Sequence, residues 1–140
     1  MQIKIMSREQ AKKFCFQKHD EKSLIISIYD PDKEPPHLFK NQINNVKSIM
    51  SCAFFDEEKD EHGCITFEQA QTIADTVIGI LDYVDLIVVH CEAGISRSAG
   101  VAGAIMKALN DDDAEAFSNG RIPNMTCYRR VLEKVNGIKE

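Results

Sequence analysis

The chain has 140 residues, enough for a single domain with one substantial core. Hydrophobic residues make up 44% of it and charged residues 28%, as in an ordinary globular protein, and no apolar run approaches the length of a membrane span. The formal net charge of −5 argues against nucleic acid as a partner, because the basic pairs Lys12-Lys13 and Arg129-Arg130 are isolated and expected on solvated helix faces.

The five cysteines, at positions 15, 52, 64, 91 and 127, are odd in number and lack the spacing of a disulfide framework. The reducing cytosol is the natural compartment for such a set. The first residues, Met1 to Arg8, lack the long apolar core of a signal peptide. We therefore expect one domain spanning residues 1–140, a cytoplasmic monomer with no membrane partner.

The first third of the chain predicts two strands around a helix. Residues 2–6 form a short strand, and Ser7-x-x-Gln10 has the pattern of a capping box that opens a helix to about Gln17. Residues 23–29 are apolar and β-branched, which predicts a central strand. That strand ends at Asp30-Pro31, a turn signal.

The middle of the chain predicts a strand, an acidic loop and a long helix. Residues 46–55 form the strand, and the loop runs from Asp56 to Gly63. Thr66-x-x-Gln69 is a second capping box, opening a helix to about Tyr83.

A buried strand, a short loop and a helix follow in the stretch from Leu86 to Leu109. Leu86–Val89 is a continuous apolar run, the pattern of a strand covered on both faces. The loop then begins with Cys91, has Gly94 in its middle and ends at Arg97. Such an arrangement makes an anion site, because loop N–H groups and the helix dipole point inward. The positive field of these groups favours the thiolate form of Cys91. The guanidinium of Arg97 matches two oxygens of a phosphoryl group.

The last part of the chain predicts two further helices. The acidic run 111–113 precedes a short helix to about Ser118. Asn124 caps a final helix from Met125 to Asn136, and Gly137 fits the C′ position. The alternation of strands and helices indicates a single α/β domain with a mostly parallel central sheet flanked by helices in three layers.

Residues 90–98, His-Cys-Glu-Ala-Gly-Ile-Ser-Arg-Ser, resemble the His-Cys-x5-Arg-Ser/Thr signature of the cysteine-dependent protein tyrosine and dual-specificity phosphatases. The Trp-Pro-Asp loop of the classical tyrosine phosphatases is absent. The resemblance is therefore to the small dual-specificity-like members, and it implies a phosphate monoester hydrolase.

By this resemblance, Cys91 is the nucleophile that forms a phosphocysteine. Arg97 binds the substrate phosphate, together with the loop N–H groups of Glu92, Ala93, Gly94, Ile95, Ser96 and Arg97. His90 orients the loop from behind. Ser98 donates a hydrogen bond to the thiolate and assists breakdown of the intermediate.

The family takes its general acid from an aspartate on an upstream loop. Asp56 directly follows the apolar Ala53-Phe54-Phe55, as the family's aspartate follows its strand, and Asp60 is the rival. Pro123-Asn124 resembles a feature of the same small group, so that Asn124 either supports the phosphate loop or is a plain helix cap.

The sequence of this loop is also compatible with other functions. A sulfurtransferase or an arsenate reductase also uses a thiolate in an anion loop, and a binding module would capture phosphorylated partners without turnover. A disulfide between Cys91 and Cys52 would protect the thiolate from oxidation. His62-Gly-Cys64 lacks a second ligand pair, so we expect neither metal nor cofactor.

The substrate class also stays open among phosphorylated proteins, phosphoinositides, nucleotides and sugar phosphates. Phosphotyrosine is favoured because a phenolic leaving group is easier to expel than an alkoxide. The acidic loop disfavours highly anionic substrates.

Overall fold

A computed structural model describes residues 1–139 and places four strands in one sheet with the order β1-β4-β2-β3. The strands are β1 (Gln2–Met6), β2 (Ser23–Tyr29), β3 (Val46–Ala53) and β4 (Leu86–His90). Every neighbouring pair is parallel. The two central strands, β2 and β4, are buried almost throughout, as their continuous apolar runs predicted.

Four α-helices cover the two faces of this sheet. They are α1 (Arg8–Cys15), α2 (Phe67–Ile80), α3 (Arg97–Asn110) and α4 (Met125–Lys139). The larger core joins α2, α3 and α4 to one face, and a smaller one joins α1 to the other through Phe14 and Cys15. The predicted three-layer α/β architecture is confirmed. No described helix is long and apolar enough to cross a membrane.

Both predicted capping boxes are present. The Ser7 hydroxyl accepts from the Gln10 N–H at 3.1 Å, and the Gln10 side chain accepts from the Ser7 N–H at 2.8 Å. Thr66 and Gln69 make the same reciprocal pair at 3.0 and 2.9 Å. Each box satisfies two of the N–H groups that a helix start leaves without partners.

Several predicted boundaries move inward. α1 ends at Cys15, β3 ends at Ala53, and the helix predicted to reach Tyr83 ends at Ile80, followed by a 3-10 turn over Leu81–Tyr83. The short helix after the acidic run is a 3-10 turn over Ala114–Phe117. These shifts lie at element ends, where side-chain pattern constrains the backbone least.

The prediction that Gly137 ends the last helix is wrong, since α4 continues through it to Lys139. Val131 and Val135 are fully buried on the α4 face that contacts the core, and Ile138 packs against the same core. This contact beyond the glycine stabilises another helical turn, which outweighs the low helix propensity of one exposed glycine.

The four carboxyl ends of the strands meet at one edge because all strands run the same way. Met6 pairs with His90, and Tyr29 pairs with Ala53 at that edge. The segments that leave these strands therefore begin side by side, where open α/β sheets place their ligands.

Candidate active site

Cys91 is the first residue after β4, and its side chain is buried, with 3% of the residue exposed. Its Sγ lies 3.1 Å from the Oγ of Ser98 in the first turn of α3. When the sulfur is a thiolate, the hydroxyl must be the donor. The contact then stabilises the negative charge by a charge-assisted hydrogen bond.

Three carbonyl groups of the loop after Cys91 accept hydrogen bonds from N–H groups outside residues 92–96. The Glu92 carbonyl accepts from the Arg8 N–H at 3.1 Å and the Ile95 carbonyl from the Ile122 N–H at 3.0 Å. The Ser96 carbonyl accepts two N–H groups, from Gly100 at 2.9 Å and Asn124 at 3.0 Å. By contrast, the N–H groups of residues 92–96 donate to no acceptor within residues 1–139. The loop thus keeps a set of donors for an anion.

Gly94 allows this loop to lie against the start of α1. Its φ is +72°, a conformation that L side chains rarely adopt. A Cβ at this position would also lie 2.8 Å from backbone atoms of Met6 and Ser7. Backbone approach and left-handed conformation together require glycine here.

His90, the last residue of β4, lies fully buried behind the loop. Its Nδ1 donates to the Cys91 carbonyl at 3.1 Å, because a carbonyl can only accept, and the Ser27 hydroxyl donates to Nε2 at 2.7 Å. Burial lowers the pKa of His90, although the hydrogen bond to Cys91 opposes this effect. The ring is therefore held neutral with both nitrogens satisfied.

Arg97 begins α3 and is 5% exposed. Its Nη1 donates to the Asp30 carboxylate and to the Phe54 carbonyl, both at 2.7 Å. Neither Nε nor Nη2 donates to another residue of the described chain. Two nitrogens of the guanidinium fork remain available for two oxygens of one phosphoryl group.

Asp30 is the site residue that the sequence analysis missed, because it was interpreted only as part of a turn. Burial opposes its ionisation, but Arg97 and Lys33 outweigh burial and hold the pKa of Asp30 below its ordinary value. The signal was its position directly after a buried parallel strand, as for Cys91 after β4.

Asp56 lies on the loop that follows β3. It contacts the loop of residues 91–97, which is the predicted phosphate loop. Its Oδ1 accepts from the Ser96 hydroxyl at 2.8 Å and from the Asn124 side chain at 3.0 Å. The structure thus brings Asp56 together with the loop that contains Cys91.

Asn124 both caps α4 and supports the phosphate loop, the two roles that the sequence left open. Its Oδ1 accepts from the Cys127 N–H at 3.0 Å, which caps α4. Its Nδ2 donates to Asp56 and to the Glu57 carbonyl, and its own N–H donates to Ser96. One side chain ties the helix start to both loops of the site.

Asp60, the rival of Asp56, is paired elsewhere. Its carboxylate lies 2.9 Å from the Arg130 guanidinium and accepts from the Cys64 thiol at 3.5 Å. The hydrogen bond from Arg130, followed by that from Cys64, lowers the pKa of Asp60. Arg130 itself was expected on a solvated face, which is wrong. It also donates to the Ile65 carbonyl and lies 4.0 Å above the Phe67 ring.

Solved structures share this architecture over almost the whole chain. Human DUSP28 matches at 15% identity with a TM-score of 0.59, covering 98% of this chain and 93% of its own. A mouse putative dual specificity phosphatase, solved with zinc tungstate, matches at 14% identity and 0.60, covering 98% and 82%. PTPMT1, solved with PI(5)P, matches at 11% identity and 0.57, covering 99% and 92%. The chain has the dual-specificity phosphatase fold.

At the level of fold, the resemblance stated from residues 90–98 is confirmed. No protein-family profile matches the chain, and neither does any curated protein sequence. The identities to the solved dual-specificity phosphatases are 11% to 15% in the three comparisons above. The likeness to these solved structures is therefore one of fold.

The cysteines of this phosphatase fold are all free thiols, including the hypothesised pair of Cys91 and Cys52. Burial raises the pKa of Cys52 to about 12 and raises that of Cys127 as well. Both behave as small buried apolar side chains, the usual role of free cysteine inside a domain.

Proposed function

We propose that the chain hydrolyses phosphate monoesters through a phosphocysteine at Cys91. The observation that carries this proposal is the loop of residues 92–96, whose N–H groups find no acceptor in the described part of the chain. They directly follow Cys91, whose thiol already contacts the Ser98 hydroxyl. A trigonal bipyramidal phosphoryl group needs such a set of donors for its equatorial oxygens.

In the first step, the Cys91 thiolate attacks phosphorus and forms the S–P bond while the P–O bond to the leaving group breaks. Arg97 offers Nε and Nη2 to two equatorial oxygens, since Nη1 is held by Asp30 and Phe54. Asp56, in its carboxylic acid form, gives its proton to the leaving oxygen.

In the second step, water attacks phosphorus and the S–P bond breaks. The Asp56 carboxylate accepts the proton from water, and inorganic phosphate leaves. The Ser98 hydroxyl donates to the sulfur as the thiolate forms again, which makes the sulfur a better leaving group.

The proposed substrate is a phosphotyrosine residue in a protein, with phosphoserine and phosphothreonine as slower substrates. A phenolate is expelled more easily than an alkoxide, so the reaction depends less on the acid. We place the activity in a monomeric cytoplasmic enzyme whose partners are its phosphorylated substrates.

Hydrolysis of two aryl phosphates, one with a good and one with a poor leaving group, tests this function. We expect turnover by the wild type and background rates for Cys91→Ser. We expect Asp56→Asn to lose about 10²- to 10⁴-fold in kcat on the poor leaving group. The loss is smaller on the good leaving group, because that oxygen needs less protonation.

The matched control is Asp60→Asn, which removes the neighbouring acid that pairs with Arg130. We expect near wild-type rates and an unchanged alkaline limb of the pH profile, because that limb reports the loss of the proton from the general acid. If Asp60→Asn shows the loss instead, the acid is Asp60. Wild-type turnover no greater than that of Cys91→Ser would refute the hydrolase and leave phospholigand binding as the function.

A further inference from the structure

A groove of about 360 Å³ begins at the proposed active site. Its lining includes Asp56, Ser96 and Asn124. Ser96 and Asn124 both donate to the Asp56 carboxylate and so connect the loop after β3 to the phosphate loop. A substrate with its phosphoryl group on the loop therefore has its neighbouring atoms at this groove. The remaining lining residues are Glu57, Glu58, Lys59, His62, Ile122 and Pro123.

The acidic side chains of the groove differ in how they are used. Asp56 accepts two hydrogen bonds, and Glu58 accepts from the Met125 N–H at 3.2 Å. The Glu57 carboxylate accepts no hydrogen bond from residues 1–139, and its side chain is 49% exposed. The ring of His62, itself largely exposed, lies 3.9 Å from the Glu57 carboxylate. Glu57 thus has a carboxylate available to a ligand.

The groove also has an apolar wall. Ile122 is 74% exposed, and it is fixed to the phosphate loop by its N–H bond to the Ile95 carbonyl. Pro123 continues that wall beside Asn124. A long basic side chain suits such a surface, because its aliphatic stem covers apolar atoms while its charged end reaches a carboxylate.

We propose that this groove receives a Lys or Arg side chain next to the phosphotyrosine of a peptide substrate, with Glu57 as the residue that selects it. This inference rests on the proposed phosphatase function and adds a substrate class to it. The apolar wall favours a side chain over a free cation. Two glutamates, Glu57 and Glu58, line this groove with one lysine, Lys59, so a second phosphate or an acidic neighbour is repelled.

Three phosphotyrosine peptides that differ only in the flanking residues, Lys, Ala or Glu, test the inference. Their kcat/KM values are measured at low ionic strength and divided by the value of the same enzyme on a small aryl phosphate. We expect the wild type to prefer the Lys peptide over the Glu peptide. We expect Glu57→Gln to reduce that ratio by about two- to fivefold, the effect of one exposed ion pair.

The control is Glu61→Gln, an exposed acid of the same loop that does not line the groove. It should keep the wild-type ratio, whereas added salt should reduce the ratio of the wild type. Equal rates on the three peptides, or a preference for the Glu peptide, would overturn the inference while leaving the phosphatase function intact. An inactive wild type on the aryl phosphate would overturn both, and the two failures are distinguished by that substrate.

Discussion

Arg97 is oriented before any phosphate arrives, because one terminal nitrogen is held by Asp30 and by the Phe54 carbonyl. The long side chain has therefore already lost most of its rotamer freedom in the folded protein. That loss would otherwise oppose phosphate binding. In the proposed hydrolysis, Asp30 is accordingly a positioning residue, which acts through Arg97 and not on substrate.

Asp30→Asn should lower kcat/KM by roughly tenfold. The amide keeps the shape of the carboxylate but not the charge that fixes the Arg97 guanidinium. The measurement is kcat and KM on an aryl phosphate, with the inhibition constant of inorganic phosphate. We expect both KM and that constant to rise. Asp32→Asn, which changes an exposed acid of the same turn, is the control. Tighter phosphate binding would instead show that Asp30 competes with substrate.

The residues of the phosphate loop could be predicted because their spacing is local. Cys91, Gly94 and Arg97 lie within one short segment, and the buried strand before it could be recognised from its apolar run. The contact of Arg97 with Asp30 spans 67 positions. It depends on β4 lying next to β2, an order that no local pattern contains.

Among the elements, the close approach of α3 to α4 determines where Asn124 lies. Gly100 of α3 faces the first turn of α4, where an added Cβ would clash with the Asn124 carbonyl and lie 2.9 Å from the Cys127 Cβ. Gly103, one turn later, is tight against the Ala116 side chain. Small residues on α3 thus bring the α4 cap up to the phosphate loop.

Gly100→Ala should destabilise the fold by about 1–3 kcal/mol, because backbone atoms must move to make room. Gly79→Ala is the matched control, as Gly79 lies in α2 with nothing within 4 Å of its added Cβ. That change should stabilise by about 0.4–1 kcal/mol through helix propensity and a more restricted unfolded chain. Urea unfolding of both variants measures the difference. Equal free energies of unfolding would contradict the close-approach account.

Helix starts could be predicted and helix ends could not. The boxes at Ser7 and Thr66 are local reciprocal hydrogen bonds, so a sequence pattern contains all their parts. The end of α4 depends on the contact of Ile138 with a core built from distant elements. That contact outweighs the low helix propensity of Gly137.

In the whole molecule, the site residues come together because all four strands run in the same direction. Asp30, Asp56 and Cys91 each follow a different strand, and all lie at the carboxyl edge of one sheet. The α/β class and this edge could be predicted from the alternation of elements. The strand order β1-β4-β2-β3 was not predicted, because it is a property of tertiary packing.

The buried His90 makes the stability of the whole fold depend on pH. Its folded pKa lies below the unfolded value near 6.5, so the unfolded chain binds more protons as the pH falls through that value. The free energy of unfolding should therefore decrease as the pH falls from neutral through about 6.5. Asp30 and Asp60, with pKa values lowered from 3.8, titrate at more acidic pH.

His90→Asn, whose amide keeps a donor near the position of Nδ1, isolates this effect. The variant should be less stable than the wild type at neutral pH, because the Ser27 hydroxyl loses its acceptor. It should nevertheless lose less stability on acidification. Urea unfolding of both proteins across that range measures the slope, and identical slopes would mean that His90 does not control it.

The proposed hydrolysis depends on a covalent bond between Cys91 and phosphorus. Ser98→Ala removes the hydroxyl 3.1 Å from Sγ, so the thiolate leaves more slowly and the intermediate should accumulate. The measurement is the intact mass of this variant after acid quenching in the presence of an aryl phosphate, with the modified residue located by fragmentation. We expect one added phosphoryl group on Cys91, and none in Cys91→Ser. Turnover without an adduct on Cys91, or an adduct on another residue, would contradict it.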